Sequence, residues 1–193
     1  MKYGRAEETP VLQTARLCLR PLGPGDLVPM HRIWNDAEVR RYLWDDEPVS
    51  MATAEACFAQ SAREFAEEGF GLFSIRPRDK TELIGFCGFR FIEGSREVEL
   101  LYGLLPDWWG WGLATEAARA CLCFAFEDVG LERVLAGTDP PNTASSRVID
   151  KLGMTFFKKI TLGELEVSYF VLRRDDWLRE HRRFPRQEKG EQR

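Results

Sequence analysis

A chain of 193 residues is long enough to bury one sizeable core, so we expect a single domain without disulfides or metals. Its 44% hydrophobic and 30% charged residues are typical of a globular protein, and a net charge of −4 argues against a general nucleic-acid binder. No apolar run reaches membrane-spanning length and no signal peptide is recognisable, so we predict no nucleic-acid partner, no membrane contact and a cytoplasmic location.

The cysteine and histidine patterns predict no metal site. The five cysteines are an odd number, form no C-x-x-C pair and lie in apolar segments, which indicates reduced thiols. His31 and His181 have no companion at the spacing of metal ligands.

The first third of the chain predicts a strand and two helices. Residues 16–22 alternate apolar and basic side chains, as a strand with one buried face does. Asp26 is a candidate N-cap for a helix through Trp34, and Ser50 for a longer helix that ends at Gly69. The longer helix has one apolar stripe, and its charged residues are expected to face water: Glu55, Arg63, Glu64 and Glu67.

Residues 39–44 form an apolar and aromatic connector with no clear period. Loop packing and a lid over the site are both compatible with this pattern, so both interpretations stay open.

Three segments at 70–76, 83–91 and 97–104 are separated by short turns, which predicts antiparallel neighbours. The third segment places Glu97, Glu99, Leu101 and Gly103 on one face. Two carboxylates beside two non-polar positions are not typical of a solvated face, and glycine in a strand suggests a bulge or the close approach of a ligand.

The stretch from residue 104 to residue 126 changes from a strand through a turn and two glycines, Gly110 and Gly112, into a helix. The free N–H groups and the dipole of a helix N-terminus stabilise an anion there, and glycine lets a phosphate approach the backbone. Two glycines alone are a weak signal, because they also serve to shape a turn.

A short strand at 133–138 follows, and a right-handed crossover is the natural connection to it. Asn142 is a candidate N-cap for a helix that ends at Gly153. Segments 154–162 and 165–172 are expected to form a hairpin about Gly163, followed by a polar helix or tail.

Two motifs in this order resemble the GNAT superfamily of acetyl-CoA-dependent N-acyltransferases. Residues 109–114, WGWGLA, are similar to its pyrophosphate loop, [QR]-x-x-G-x-[GA], with Trp109 where Gln or Arg is usual. Residues 99–117 look like the branch of the ribosomal-protein N-terminal (RimJ/RimL-type) acetyltransferases. The second motif is N-x-x-S at 142–145, continued by residues 148–154.

The resemblance implies a mixed α+β fold in which a mostly antiparallel, twisted sheet of six to seven strands splays at one parallel pair. About four helices are expected on its two faces. We predict a GNAT domain over residues 12–177 and a polar C-terminal helix or tail over 178–193.

The resemblance also implies that the protein binds acetyl-CoA and transfers its acetyl group to a primary amine of a small molecule or peptide, as a monomer or homodimer. Backbone amides at the loop would hold the pyrophosphate, and the strand edge near Tyr102 would pair with the pantetheine arm. The predicted cofactor-binding residues are Tyr102, Leu104, Trp109, Gly110, Trp111, Gly112, Leu113, Ala114, Thr115, Asn142 and Ser145.

Three residues receive catalytic roles. The backbone N–H of Leu104 is the candidate oxyanion donor, and Glu99 is the candidate general base, with Glu97 as a weaker possibility. Ile149 stands where many superfamily members have a tyrosine that reprotonates the thiolate, so Ser145 is the substitute candidate. Structural roles for Glu99 and Ser145 stay open: a hydrogen-bond acceptor and a first-turn helix residue.

The acceptor is predicted to lie opposite the cofactor, against residues 39–48 and the hairpin about Gly163. The predicted substrate-binding residues are Trp34, Tyr42 and Trp44. The acids of that side, Asp45, Asp46, Glu47 and Glu164, could attract a cation, or simply be solvated. Two other functions stay possible: a non-catalytic acyl-CoA-binding domain, which Ile149 favours, and a carbohydrate platform built from Trp108, Trp109 and Trp111.

Overall fold

A computed structural model describes residues 10–162 and 165–181, in which eight strands form one sheet. The strands are β1 Leu12–Gln13, β2 Leu17–Pro21, β3 Leu72–Pro77, β4 Gly85–Phe91, β5 Val98–Leu104, β6 Arg133–Thr138, β7 Thr155–Leu162 and β8 Leu165–Arg173. Their order in the sheet is β1-β2-β3-β4-β5-β6-β8-β7. Every neighbouring pair is antiparallel except β5 and β6, which are parallel.

Six α-helices accompany the described part of the sheet. They are α1 Leu27–Trp34, α2 Ala37–Leu43, α3 Met51–Glu68, α4 Leu113–Cys123, α5 Thr143–Lys151 and α6 Arg174–His181. A wider π-helical turn, Phe124–Val129, continues α4 until Gly130, whose φ of 81° ends it.

The predicted mixed fold with one parallel pair is confirmed, but the predicted counts are too low. The two-residue strand β1 accounts for the eighth strand, and α2 and α6 account for the additional helices. Elements this short carry too few residues for a period to show in the sequence.

The core has two main clusters. The larger one packs α4, the π-helical turn and α5 against one face of the sheet, and includes Leu100, Leu122 and Ile149. The second packs α1–α3 against the other face around Trp34 and Phe86, whose ring centroids are 5.9 Å apart. The sheet is therefore covered on both sides over β3–β5, which holds β5 in a fixed position.

Two of the predicted helix caps are confirmed. The Ser50 hydroxyl accepts a hydrogen bond from the Thr53 N–H at 3.0 Å, and α3 ends at Gly69 with φ 82°. Asn142 Oδ1 accepts from the Ser145 N–H at 3.0 Å and so caps α5.

The predicted cap at Asp26 is wrong, although the helix after it is present. The Asp26 carboxylate accepts from the Gly23 N–H at 3.1 Å and pairs with Arg76 on β3. A buried carboxylate gains more from a guanidinium than from a helix amide, so Asp26 ties the chain before α1 to the sheet.

Glu64 was expected to face water but is only 3% exposed. Its Oε1 accepts from Gln60 Nε2 at 3.0 Å and from the Phe91 N–H at 3.4 Å. These hydrogen bonds join α3 to the end of β4, and they compensate for the loss of water around the carboxylate.

The connector at 39–44 lies mostly in helix α2, so its interpretation as a loop is wrong, whereas a lid over the site stays a prediction. Asp36 caps α2 by accepting from the N–H groups of Glu38 at 3.0 Å and Val39 at 3.4 Å, and Val39 is buried. Positive φ values at Asp45 and Asp46, 51° and 61°, then turn the chain back towards α3.

At the C-terminal end, β7 and β8 form the predicted hairpin, whose turn residues 163–164 lie outside the described residues. The predicted domain boundary at 177 falls inside α6, where Trp177 is 3% exposed and packs on Phe126 at 5.8 Å. Residues 182–193 of the predicted tail lie outside the described residues. No helix in the described part is long and apolar enough to span a membrane.

Candidate active site

The sheet opens between β5 and β6. The β4–β5 ladder runs from Val98 to Leu104, whereas the β5–β6 ladder pairs at Glu99 and Leu135. Towards their C-terminal ends the two parallel strands diverge, and α4 and α5 begin on either side of the opening. In an open sheet with parallel strands, such an opening at the carboxyl ends is a usual ligand site.

Backbone groups of β5 face this opening. The Leu105 N–H donates to Ile84 O at 2.9 Å, so odd-numbered residues of this stretch bond to β4 and even-numbered residues turn the other way. The N–H groups of Tyr102 and Leu104 are therefore directed towards β6. The Leu104 carbonyl, on the same side, accepts from Trp109 Nε1 at 2.6 Å.

The glycine loop leads directly into α4. Gly110 and Gly112 have φ values of 77° and 75°, in the left-handed region that favours glycine. The Glu116 N–H makes a helical bond to Gly112 O at 3.1 Å. The N–H groups of Leu113, Ala114 and Thr115 precede that bond, so they are the donors that a helix N-terminus leaves for an anion.

A charged anchor that the sequence analysis missed holds this loop. Arg16 donates from Nη1 to Trp111 O at 2.9 Å and from Nε to Glu116 Oε2 at 2.7 Å, and Thr14 Oγ1 donates to Glu116 Oε1 at 2.6 Å. Burial alone would raise the pKa of the Glu116 carboxyl, but the hydrogen bonds from Thr14 and Arg16 lower it. The contact joins positions about a hundred residues apart, so no local sequence pattern shows it.

Tyr102 and Ser145 meet across the opening. The Tyr102 hydroxyl lies 2.8 Å from Ser145 Oγ, and the Ser145 N–H is occupied by the cap at Asn142. Burial raises the pKa of Tyr102 to about 12, so the phenol stays protonated at neutral pH. Ile149, on the next turn of α5, is completely buried in the core.

Glu99 lies on the opposite face of β5 and is 6% exposed. Its Oε2 pairs with Arg90 Nη2 at 3.2 Å, and the Gly137 backbone lies beside Oε1. Burial raises the pKa of the Glu99 carboxyl, although the Arg90 guanidinium works in the opposite direction. Glu97, the weaker candidate base, is engaged in an ion pair with Arg133 at the start of β6.

Gly137 packs closely against Glu99, in a position that has no room for a side chain. A Cβ there would lie 3.0 Å from Glu99 Oε1 and 3.2 Å from Tyr169 Cε1. Burial, and then the charge of Glu99, raise the pKa of Tyr169. Sequence analysis missed both Gly137 and Tyr169, since only the pairing of β6 with β8 brings them beside Glu99.

The three aromatic residues predicted to bind substrate have different surroundings. Trp34 is 2% exposed inside the second core cluster, so its burial does not support a substrate contact. Trp44 packs edge-on against it at 5.7 Å and is half-buried, whereas Tyr42 is 37% exposed. Trp44 and Tyr42 remain candidates for contact with the substrate. Trp34 contacts Trp44 from within the core.

Acidic residues from two distant segments come together on this side. Burial and then the charge of Asp45 raise the pKa of Asp139, which follows β6. Asp46 is paired with Arg40 at 3.0 Å. Glu164 lies outside the described residues.

A cleft of about 460 Å³ lies beside the glycine loop, between Arg16, Lys80 and Trp111. It contains none of the groups around Glu99 or Ser145, so we do not place the chemistry there. Among the described residues, no three His, Cys, Asp or Glu side chains group as a metal site would, and the absence of a metal stays a prediction.

An opened parallel pair, a glycine loop and a helix N-terminus together are features of folds that bind a diphosphate-bearing ligand. The family model for the acetyltransferase (GNAT) domain matches residues 16–155. The chain therefore belongs to the GNAT acetyltransferase family, and it is an N-acetyltransferase like its curated relatives.

Relatives and solved structures agree with this assignment. The uncharacterised N-acetyltransferase p20 of Bacillus licheniformis is 31% identical, over 80% of this chain and 86% of its own length. The spermidine N(1)-acetyltransferase of Escherichia coli K12 is 28% identical, over 79% of this chain and 77% of its own length.

A crystal structure of RimL, a ribosomal L7/L12 alpha-N-protein acetyltransferase in complex with coenzyme A, superposes with a TM-score of 0.73. It is 17% identical and covers 86% of this chain and 98% of that one, so it shows a shared fold. The predicted resemblance to the RimJ/RimL branch agrees with this likeness.

Proposed function

We propose that the protein transfers the acetyl group of acetyl-CoA to a primary amine by direct attack in a ternary complex. The observation that carries this proposal is the divergence of β5 from β6 beside the free amides at the start of α4. One wall of the opening offers unpaired strand edge to an amide-bearing chain, and the other offers donors to a diphosphate.

Acetyl-CoA would use the backbone rather than charged side chains. The diphosphate would accept hydrogen bonds from the loop and from the first turn of α4, residues 110–115. The pantetheine amides would pair with β5 at Tyr102, as an added strand does, and the Leu104 N–H would remain for the thioester. Trp109, in the place of the usual Gln or Arg, anchors its indole on Leu104 O and so stiffens the strand end.

The transition state carries negative charge on the thioester oxygen. The Leu104 N–H, directed at the opening, is the proposed donor to that oxygen. When the amine attacks, the N–C bond forms, the C–S bond breaks and the electron pair moves to sulfur. Ser145, directly or through water, is the proposed donor towards the thiolate.

Glu99 is the proposed acceptor for the proton of the amine, directly or through water. Its burial raises its pKa and so makes it a stronger base than an exposed carboxylate. The Gly137 backbone lies close beside Oε1, where no side chain would fit, so a larger residue there would displace the carboxylate. The amine would approach from the face that also carries Tyr169 and Asp139.

A second function has one observation in its favour. Ile149 replaces the expected tyrosine and lies buried in the core, so α5 supplies no phenol to the opening. A domain that binds acyl-CoA without turnover would tolerate this replacement. The Tyr102 and Ser145 hydroxyls at the opening favour the enzyme, because a binding module has no need of them.

An assay for free CoA release separates the two functions. The purified protein is incubated with acetyl-CoA and either spermidine or a peptide with a free N-terminal alanine, and the amine is examined by mass spectrometry. We expect amine-dependent release and the mass gain of one acetyl group. Tight binding of acetyl-CoA with no release for any amine of a wider panel would favour the binding domain.

A further inference from the structure

The sequence predicted a role only for the backbone of Tyr102, as strand edge for the pantetheine arm. In the structure, the Tyr102 hydroxyl also lies at the opening. It lies 2.8 Å from Ser145 Oγ and 3.3 Å from Ser145 O, and its single hydrogen is best placed for the nearer oxygen, Oγ. The two residues lie on β5 and α5, the elements on the two sides of the opening. This side-chain contact is independent of the strand pairing that orients the Tyr102 backbone.

We propose that Tyr102 is a positioning residue that directs the Ser145 hydroxyl hydrogen towards the sulfur of the departing CoA. The inference rests on the proposed function and adds the group that makes Ser145 an effective donor. Tyr102 itself does not touch the sulfur in this scheme.

The hydrogen-bond inventory explains the positioning. A serine hydroxyl has one hydrogen and two acceptor sites, and it rotates freely unless a partner fixes it. When Tyr102 donates to Ser145 Oγ, one acceptor site is filled and the serine hydrogen is free for an outside acceptor. Asn142 holds the backbone of Ser145, so the hydroxyl remains within reach of Tyr102.

Burial makes Tyr102 suitable for this role. The raised pKa keeps its hydroxyl protonated over the working range of pH, so it can act as a donor throughout. In a chain of two hydrogen bonds, each bond polarises the next, and the terminal hydrogen binds an anion more strongly. The pair thereby replaces the phenol that Ile149 does not provide.

The chemistry balances without a proton passing through Tyr102. As the C–S bond breaks, its electron pair becomes the thiolate, which accepts the Ser145 hydrogen bond. The amine proton leaves through Glu99 to water, and the thiolate takes a proton from water as CoA is released. Ser145 and Tyr102 end each turnover with the hydrogens with which they began.

Titration of bound CoA tests the proposal without an acceptor amine. The ultraviolet absorbance of the thiolate gives the pKa of the thiol in the complex of the full chain with CoA. Tyr102→Phe and Ser145→Ala should each raise that pKa by about one unit, since each weakens the hydrogen bond to the anion. The double variant should raise it no more than Ser145→Ala alone, because the two groups act in series.

Ser146→Ala is the matched control. Ser146 is the neighbouring serine of α5, and its hydroxyl donates to Asn142 O at 3.2 Å. The bound thiol should keep its pKa in this variant. Where Tyr102→Phe does not fold, 3-fluorotyrosine at position 102 keeps the ring, makes the hydroxyl a stronger donor and should lower the thiol pKa.

Kinetics give the second measurement. In the Tyr102→Phe variant, kcat with acetyl-CoA and the fastest amine of the panel should fall about ten-fold while CoA affinity is unchanged.

Additive effects in the double variant, or an unchanged thiol pKa in Tyr102→Phe and Ser145→Ala, would overturn the inference and leave the proposed function standing. If the wild-type protein binds no CoA, or binds it and releases none with any amine, the proposed function fails and the inference with it.

Discussion

Glu99 is buried and keeps a charged partner, Arg90, at one of its oxygens. A structural carboxylate and a general base both fit the contact with Arg90. The Gly137 backbone, which lies close to the carboxylate, fits both roles as well.

Glu99→Gln separates the two roles. We expect kcat/KM to fall about 100-fold at neutral pH with CoA affinity unchanged, and the loss should shrink at high pH, where the amine is already neutral. Steady-state rates over a pH series measure this. Glu97→Gln, two residues earlier on the same face, is the matched control, and a larger loss in that variant would reassign the base.

Stability gives an independent prediction for the same variant. A carboxyl whose pKa is raised on folding contributes stability that is complete below its unfolded pKa and is lost as the pH rises through its folded pKa. At neutral pH the charged Glu99 therefore costs stability, and Glu99→Gln should melt at the same temperature as the wild type or higher. A large fall in melting temperature at pH 7 would show that the ion pair with Arg90 dominates.

Single residues were predictable from the sequence where a local rule acts. Ser50 and Asn142 cap helices because a short polar side chain before an apolar period does so in most contexts. The contacts of Asp26 and Glu64 were not predictable, because their partners are distant in the sequence. Asp26 pairs with Arg76, and Glu64 accepts a hydrogen bond from the Phe91 N–H. Local rules do not contain such partners.

The glycine loop and α4 form one element whose position depends on Arg16. That arginine bridges the Trp111 carbonyl and Glu116, so it fixes both the loop and the first turn of the helix. Because the Arg16 side chain is half-exposed, its ion pair with Glu116 contributes only about 0–1 kcal/mol to stability. Its greater effect should therefore be on the loop.

Arg16→Gln should weaken CoA binding about ten-fold and lower the melting temperature only slightly. The physical reason is that the amides of residues 110–115 are no longer held in one arrangement before CoA arrives. Calorimetry of CoA binding measures the first effect. Arg78→Gln, which removes a bond to Thr14 O in the same region, is the control, and equal losses in both variants would contradict a specific role for Arg16.

At the scale of elements, the sequence predicted long segments well and short ones poorly. The bounds of β6 and α3 agree with the prediction because each has a clear period and a stop signal. Helix α2 was missed because seven residues make only two turns, and its apolar residues Val39 and Leu43 pack on a core that forms from other parts of the chain. Tertiary packing, not propensity, makes α2 helical.

The whole molecule brings the proposed acceptor side together from three parts of the chain: the turn after α2, the end of β6 and the face of β8. Asp45 and Asp139 are close enough for one charge to affect the other, and Glu99 and Tyr169 lie on the same side. Sequence spacing could suggest the acids after α2, but not that Asp139 joins them.

Neutralising Asp45, Asp46 and Glu47 together should raise the KM for spermidine, more at low salt than at high salt, with CoA affinity unchanged. Because Asp46 is already paired with Arg40, Asp45→Asn alone should account for most of the effect, and Glu47→Gln for little. Kinetics at two salt concentrations test this. Unchanged amine kinetics in the triple variant at every salt concentration would place acceptor recognition elsewhere.

Calorimetry of CoA binding to two glycine variants tests the central claim, that the start of α4 holds the cofactor, most directly. Gly112→Glu puts a carboxylate beside the free amides, whereas Gly94→Glu puts the same residue at a similar φ of 70°, in the open turn between β4 and β5. The two substitutions therefore carry similar backbone strain and equal charge. We expect Gly112→Glu to abolish CoA binding and Gly94→Glu to leave it unchanged; undiminished binding by a folded Gly112→Glu variant would contradict the claim.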